Sequence, residues 1–398
     1  MKIKVIGIGA CGNKASISAL EQGVLDKEKI LLINSTLKDI PEQYRDFAFE
    51  LQGSEGGCGK ERKRSAQLFY NNIVNGDLGQ TLDNFITDED EVVVIVVSTE
   101  GGTGSGGANI VAKYLDEEIG IPVHIFGITG FDEDGRGMEN TIEFFQDLSK
   151  DYTIETLSNS AYLSSCSNML EAEKACNNDF VKKLSILLEK DIIDATQNAD
   201  ERDVFKVITT PGYMVCDYVK LGSIKNVEQS DKAIAAVIDS NKSLEPEGKA
   251  AKRLVVFINA KEETLDNLDL SFNVIKSKFG NPYELFKHIQ YNEEAEEFLA
   301  FVVAGTKMPL QALKDVYEKY KAESQKVVKE EDSFFDFVSD LRGNQEDSMF
   351  DSQSKRRKKK STGFFANTTG LETKDITAPI DSKFTKVEIN DDEYFKKK

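Results

Sequence analysis

The residues most able to do chemistry cluster in Glu91 to Gly107, EVVVIVVSTEGGTGSGG, where an apolar run breaks into a segment holding five glycines. Glycine lets a backbone approach a ligand closely, and a helix start offers unpaired N–H groups at the positive end of its dipole. Together they make an anion site, most simply a phosphate site. A tight strand-to-helix turn is the plainer use of such a segment, but it needs fewer glycines. Two more segments share this character. Gly7-Ile8-Gly9-Ala10-Cys11-Gly12 fits G-x-G-x-x-G and runs into Asn13. A dinucleotide fold needs an acidic residue after its second strand to hold a ribose, and Asn34-Ser35-Thr36 stands there instead, which counts against NAD. Gly53, Gly56, Gly57, Cys58 and Gly59 lie in LQGSEGGCGKERK. This is not a Walker loop: Ser54 occupies the place of its first glycine, and Glu61 follows Lys60 where Ser or Thr must meet magnesium. A mobile surface loop is its simplest alternative.

Strands and helices must position these loops, and the apolar pattern predicts them. Val92 to Val97 read as a strand buried on both faces, because β-branched residues run without polar alternation. A helix follows over Ala108 to Leu115. Further strands are expected at Lys2 to Ile8, Lys29 to Ile33, Ile121 to Ile128 and Tyr152 to Leu157, with helices at Asn13 to Gln22 and up to Lys150. The three glycine loops would then meet at the carboxyl ends of a parallel sheet, where ligands of doubly wound folds bind. Between Thr129 and Arg136, the acidic residues Asp132, Glu133 and Asp134 could accept ribose hydroxyls or cap the next helix. Ser167 to Thr196 contains no glycine or proline and carries apolar residues at helical spacing, predicting an amphipathic helix about 45 Å long. Beyond it, strands at Gly212 to Leu221, Arg253 to Ala260, Glu284 to Tyr291 and Glu297 to Gly305 alternate with helices at Asp231 to Ser243 and Leu268 to Phe279. The fold class is α/β: a Rossmann-like parallel-sheet domain over 1–166, a central helix over 167–197 and a second α/β domain over 198–307. A helix over 308–328 and a largely disordered tail over 329–398 complete the chain.

Composition narrows the function classes. The chain has 398 residues, 40% hydrophobic and 30% charged, with no tryptophan. No apolar run reaches the ~18 residues of a membrane span, and MKIKVIGIG reads as a strand and not a signal peptide, so a cytoplasmic protein is expected. Five scattered cysteines without a CxxC pair, and two histidines, indicate neither disulfides nor a metal site. The net charge of −19 argues against nonspecific nucleic-acid binding by the folded body. The tail alternates acidic, aromatic and basic segments, among them Phe334, Phe335, Phe337 and the basic run Lys355 to Lys360.

Over residues 1–307 the chain resembles the FtsZ/tubulin superfamily of GTPases. Glu100-Gly101-Gly102-Thr103-Gly104-Ser105-Gly106 is similar to that family's GGGTGSG signature with its first glycine replaced by Glu100. Ile3 to Asn13 resembles the opening nucleotide loop of bacterial FtsZ, and Gly57 to Lys63 the corresponding loop of plasmid and phage tubulin-like proteins, the TubZ group. Asn198-Ala199-Asp200-Glu201-Arg202-Asp203 resembles the family's N-x-D-x-x-D loop. As isolated residues, Asn198, Asp200 and Asp203 would be a helix end followed by a cap.

The resemblance implies a GTP-binding domain, a central helix and an activation domain. It implies GTP or GDP held with Mg²⁺ over loops around Gly9, Ala10, Cys11, Gly12 and Asn13, around Gly56, Gly57, Cys58 and Gly59, and over Gly101 to Gly106, where Thr103 and Ser105 add hydroxyls. Asn13, Asn159 and Asp179 stand at the positions that meet guanine. Asp134 and, with shifted spacing, Arg136 match the ribose contacts. Hydrolysis would need Asn198, Asp200 and Asp203 of a second copy in a head-to-tail polymer. TubZ-like relatives carry a long helix where Pro309 begins one here. An adaptor protein or DNA–adaptor complex on the tail, serving DNA segregation, phage-genome positioning or cell division, fits such a polymer. An oxidoreductase using the same G-x-G-x-x-G, and a filament protein that binds nucleotide without efficient hydrolysis, are the alternatives.

Overall fold

A computed structural model describes residues 1–323 apart from 55, 132–133, 189–200, 223 and 292–295. In chain order the first half holds β1 (Ile3–Ile8), α1 (Gly9–Glu21), β2 (Ile30–Asn34), β3 (Ala48–Glu50), α2 (Arg62–Val74), α3 (Leu78–Phe85), β4 (Val92–Ser98), α4 (Gly102–Lys113), β5 (Val123–Thr129), α5 (Gly135–Leu148), β6 (Thr153–Ser158) and α6 (Asn159–Leu163). The second half holds α7 (Met169–Leu187), α8 (Glu201–Ile208), β7 (Gly212–Lys220), α9 (Val227–Ser240), β8 (Arg253–Ala260), α10 (Glu262–Leu265), α11 (Asn273–Phe279), β9 (Glu284–Tyr291) and β10 (Phe298–Thr306). Residues 310–323 are helical, with Leu313 N–H bonded to Pro309 O at the start.

All ten strands form one sheet in the order β3-β2-β1-β4-β5-β6-β7-β10-β8-β9. From β3 to β6 the pairing is parallel, so these strands share one carboxyl pole. β7 joins β6 in parallel through only two register positions, Thr153↔Gly212 and Ile154↔Tyr213. β10 inserts antiparallel between β7 and β8, and β9 closes the sheet parallel to β8.

The unbroken apolar run of β4 has its expected cause, for Val92 through Val97 are buried on both faces. Val93, Ile95 and Val97 face a core with Phe69, Val111 and Phe144. Val92, Val94 and Val96 face another with Ala15, Phe180 and Leu184. Helices α2, α4 and α5 therefore cover one face of the parallel half, and α1 and α7 the other.

Several boundaries differ from those read off the sequence, and each has a local cause. α4 begins at Gly102 and not Ala108, and α1 at Gly9 and not Asn13, so both glycine segments are helix starts and not preceding loops. A π turn over Tyr114–Ile119 extends α4 until Gly120, at φ 79°, stops it. α7 runs for 19 residues from the Asn168 cap, whose side chain accepts from Glu171 N–H; residues 189–200, the rest of the expected helix, lie outside the described part. Asn226 caps α9 in the same way and starts it at Val227. α11 begins only at Asn273, because Phe272 sits in the left-handed region at φ 54°. The tail over 329–398 also lies outside the described residues.

Candidate functional site: three glycine segments at one pole of the sheet

β1 and β4 lie side by side, and both turn directly into helices at their carboxyl ends. Neither helix start has a side-chain cap: Ile8 precedes α1, and Gly101 precedes α4. Their first-turn N–H groups therefore have no intrahelical acceptor. The two starts touch, since a Cβ on Gly9 would lie 3.3 Å from Gly104 N, and Gly9 itself needs φ 75°. The third segment closes on them, because a Cβ on Gly102 would lie 2.8 Å from Lys60 N and 3.1 Å from Cys58 Cβ.

The glycines divide into two kinds. A Cβ on Gly12 would collide with Val96 O at 1.9 Å, on Gly106 with Arg62 O at 2.3 Å, and on Gly104 would press Ile8 O at 3.0 Å. These are packing glycines that let helices sit on strands and on each other. Gly56, Gly57 and Gly59 instead meet nothing within 4 Å and hold φ values of 92°, 153° and 57°. Gly101 also has room, with its nearest neighbour at 3.8 Å. Of the expected hydroxyl donors, Ser105 is fully buried and donates to Gly101 O, whereas Thr103 is half-buried. Ala10 is exposed; Cys11 is half-buried, with burial pushing its thiol up to about 12, so it is a neutral group.

Three side chains missed in the sequence fix this geometry. Asn140 of α5, fully buried, donates through Nδ2 to Lys60 O at 2.9 Å and to Glu100 O at 3.0 Å, clamping the second and third segments together. Arg62 of α2 bonds Ser105 O at 3.3 Å and pairs with Glu143 at 3.0 Å and Asp147 at 2.7 Å. Lys60, at φ 60°, reaches Asp134 with its ammonium. A non-glycine residue with positive φ after a glycine run is unreadable from composition. Asn140 and Arg62 look like ordinary helix residues until their partners are seen.

Glu100 has a structural account. Its carboxylate fills the space beside Gly130 and Gly137: a Cβ on Gly130 would lie 1.9 Å from Glu100 Oε2, and one on Gly137 3.0 Å from it. The acid thus lies at the start of α5, where a helix dipole favours negative charge. Asp134 caps the same helix by accepting from Gly137 N–H at 2.8 Å, and the hydrogen bond from Lys60 holds its carboxyl below the usual range. Arg136 pairs with Glu139 at 2.8 Å on the surface of α5. Asp132 and Glu133 lie outside the described residues.

Asn13 is buried, donates to Ile33 O at 3.3 Å, and leaves Oδ1 without a partner. Asn159, at the carboxyl end of β6, also buries Oδ1 without a partner. Asp179 of α7 accepts from Tyr162 OH at 2.6 Å. Asn34, where a dinucleotide fold would carry its acid, spends its amide on Thr36 O at 3.0 Å and Asp39 at 3.3 Å.

Asp203 is placed at the other pole. It lies in the first turn of α8, 3.6 Å from Lys206. The end of α8 packs where β5 and β6 begin: Ile208 O lies 3.3 Å from His124 Nδ1, and Thr210 O accepts from Thr153 Oγ1 at 2.7 Å. The glycine segments stand at the carboxyl ends of β1 and β4, the opposite pole of the same parallel set, a strand length of about 17–20 Å away at ~3.3 Å per residue. Asp203 precedes Ile208 by five positions, at most ~8 Å of helix axis, which cannot close that gap. Asn198 and Asp200 lie outside the described residues.

Between the poles α7 carries a buried charge cluster. Lys183 lies 3.1 Å from Glu155 Oε1 and donates to Cys216 O, while Cys216 Sγ donates to the same carboxylate at 3.2 Å. His124 Nε2 stands 4.0 Å from Glu155 Oε2, and burial pushes the imidazole down to about 4, so it is neutral.

Among the described residues, no group of three or more His, Cys, Asp or Glu could hold a metal ion, and no helix is long and apolar enough to cross a membrane.

A sheet of this order, with glycine-started helices at one pole and a core helix leading to the other, has the fold of solved FtsZ/tubulin-type structures, and in sequence the chain is similar to tubulin-like proteins and to FtsZ. No family profile matches it. In sequence the chain is 24% identical over 249 residues to the tubulin-like protein CetZ2 of Haloferax volcanii, a match covering 59% of this chain and 68% of that protein. It is 24% identical over 335 residues to the cell division protein FtsZ of Aquifex aeolicus, covering 77% and 83% respectively. A GTPγS-form protofilament structure of TubZ from Bacillus thuringiensis serovar israelensis superposes with a TM-score of 0.65 at 18% identity, covering 84% of this chain and 94% of that one.

Proposed function

We propose that the chain is a cytoplasmic GTPase that binds GTP at the glycine pole and hydrolyses it only when a second copy stacks head to tail. The observation that carries this reading is the separation of the poles: the glycine segments lie at the carboxyl ends, and Asp203 towards the amino ends, of one set of parallel strands. Stacking copies along the strand direction brings the α8 pole of one onto the glycine pole of the next. A TubZ of the same fold is seen as a GTPγS-form protofilament, which supports this use.

In this reading residues 1–166 bind the nucleotide, 167–197 connect, and 198–307 carry the catalytic loop. First-turn N–H groups of α1 and α4 and the open glycines Gly56, Gly57, Gly59 and Gly101 hold the phosphates, with magnesium accompanying them. The unpartnered buried Oδ1 atoms of Asn13 and Asn159, with Asp179, take the base. Asn198, Asp200 and Asp203 of the next subunit orient the attacking water. Phosphoryl transfer demands positioning and charge stabilisation, so splitting the site couples turnover to assembly. DNA segregation, genome positioning or cell division would follow through an adaptor on residues 329–398.

The test is Asp203→Ala. GTP affinity and filament formation should persist while phosphate release falls by about a hundredfold or more. Wild-type turnover in that variant would remove the loop from the mechanism.

A further inference from the structure

Lys60 is not accounted for by a phosphate site made only of backbone amides. It is one of two non-glycine residues among those described that hold a positive φ, a conformation glycine would adopt without strain, so a side chain is kept here against the backbone's preference. Its main chain is fixed on both sides. Lys60 N lies 2.8 Å, and its Cα 2.9 Å, from where a Cβ on Gly102 would sit, and Asn140 holds its carbonyl at 2.9 Å. The side chain therefore springs from a rigid point against the first residue of α4, whose start has no side-chain cap.

Its ammonium rests on Asp134, with side-chain exposures of 49% and 40%. An ion pair this open to water is weakly held. Three other cations of these elements are engaged with carboxylates: Arg62 with two of them and with Ser105 O, Arg136 with Glu139, and Lys14 with Glu173 at 3.5 Å. Asp134 also has a second occupation, since it caps α5 through Gly137 N–H whether or not Lys60 is present.

We propose that Lys60 is the cation that reads the terminal phosphate of the bound nucleotide, and that Asp134 holds it aside until a triphosphate draws it away. This rests on the nucleotide reading above and deepens it by assigning the discrimination between triphosphate and diphosphate. A lysine on a flexible four-carbon stem, anchored beside Gly102, can exchange a carboxylate for a phosphate oxygen without moving the loop. A diphosphate leaves the Lys60–Asp134 pair in place. The site then senses the γ-phosphate through one exchangeable ion pair.

The experiment measures affinities of the full-length protein for fluorescent GTPγS and GDP, at concentrations too low for assembly. Lys60→Gln should weaken GTPγS by about tenfold or more, the worth of a charge-assisted contact, and GDP by about twofold at most. Lys60→Gly, which relieves the backbone strain, should show the same selective loss, and Lys60→Arg should restore part of the preference. Asp134→Asn keeps the cap and releases the ammonium, so it should tighten GTPγS about two- to fivefold and lose that gain in the Lys60→Gln background. Equal losses for both nucleotides in Lys60→Gln, or an unchanged GTPγS affinity in Asp134→Asn, would overturn the assignment. Wild-type protein that binds neither nucleotide would instead overturn the nucleotide reading itself.

Discussion

The two poles of the sheet are built from different materials. At the carboxyl ends of β1 and β4 two helix starts present uncapped backbone amides, and side chains hold segments together: Asn140 clamps, Arg62 ties three helices, Asp134 caps. At the amino ends of β5 and β6 the polar groups are side chains: Asp203 is half-buried in the first turn of α8, 3.6 Å from Lys206, and the buried cluster of His124, Glu155 and Lys183 lies between the two poles. The difference follows from charge. Bare N–H groups and a helix dipole attract a polyanion, and carboxylates turned towards that anion would repel it. A site that needs both an anion cradle and carboxylates to orient water is therefore easier to divide between two surfaces than to place on one.

The comparison can be broken at either pole. The largest effect is expected from Gly12→Ala, because its Cβ would overlap Val96 O and force α1 off β4. Overpacking of this kind should cost about 3 kcal/mol or more, read as a fall in urea midpoint, and remove nucleotide binding with it. Retained stability would mean that the glycine pole is not set by helix–strand contact.

For the buried cluster between the poles the expected effect depends on pH. Burial lowers His124 to about 4 in the folded state from 6.5 in the unfolded state, so unfolding takes up a proton between these values. Stability should accordingly be full above about pH 6.5 and fall towards pH 4, by as much as about 3 kcal/mol. Burial pushes Glu155 up, which acts in the opposite sense, so the comparison is with His124→Gln. That variant should flatten the slope between pH 6.5 and 4; an unchanged slope would show that the imidazole is not the group responsible.

The smallest effect separates the two kinds of glycine. Gly101 has φ −69° and open space around it, so Gly101→Ala should change stability by less than about 0.5 kcal/mol while weakening nucleotide binding through the added methyl. A large loss of stability would place Gly101 among the packing glycines.

Much of the fold was readable because its signals are local. The β-branched run of β4 announces a strand buried on both faces, and β8 and β9 begin and end where their patterns predict. Helix starts inside glycine segments were not readable, since apolar periodicity is silent there. Gly106 and Gly107 are glycine because of Arg62 O and the Phe69 ring, more than thirty positions away, which no local pattern encodes. The insertion of β10 between β7 and β8 is likewise a property of pairing partners, not of the strand's own residues. For the site, the three glycine segments and their meeting place were legible. The clamp by Asn140, the resting place of Lys60 and the accommodation of Glu100 beside Gly130 depend on α5 arriving from elsewhere in the chain.

The central claim is that one chain holds only half of a hydrolytic site. It is tested most directly by measuring phosphate release per subunit across a dilution series of the wild-type protein in excess GTP, with filament mass followed in parallel by light scattering. A divided site predicts negligible turnover below the assembly threshold and turnover that rises in step with filament mass above it. Constant turnover per subunit down to concentrations where no filament forms would contradict it.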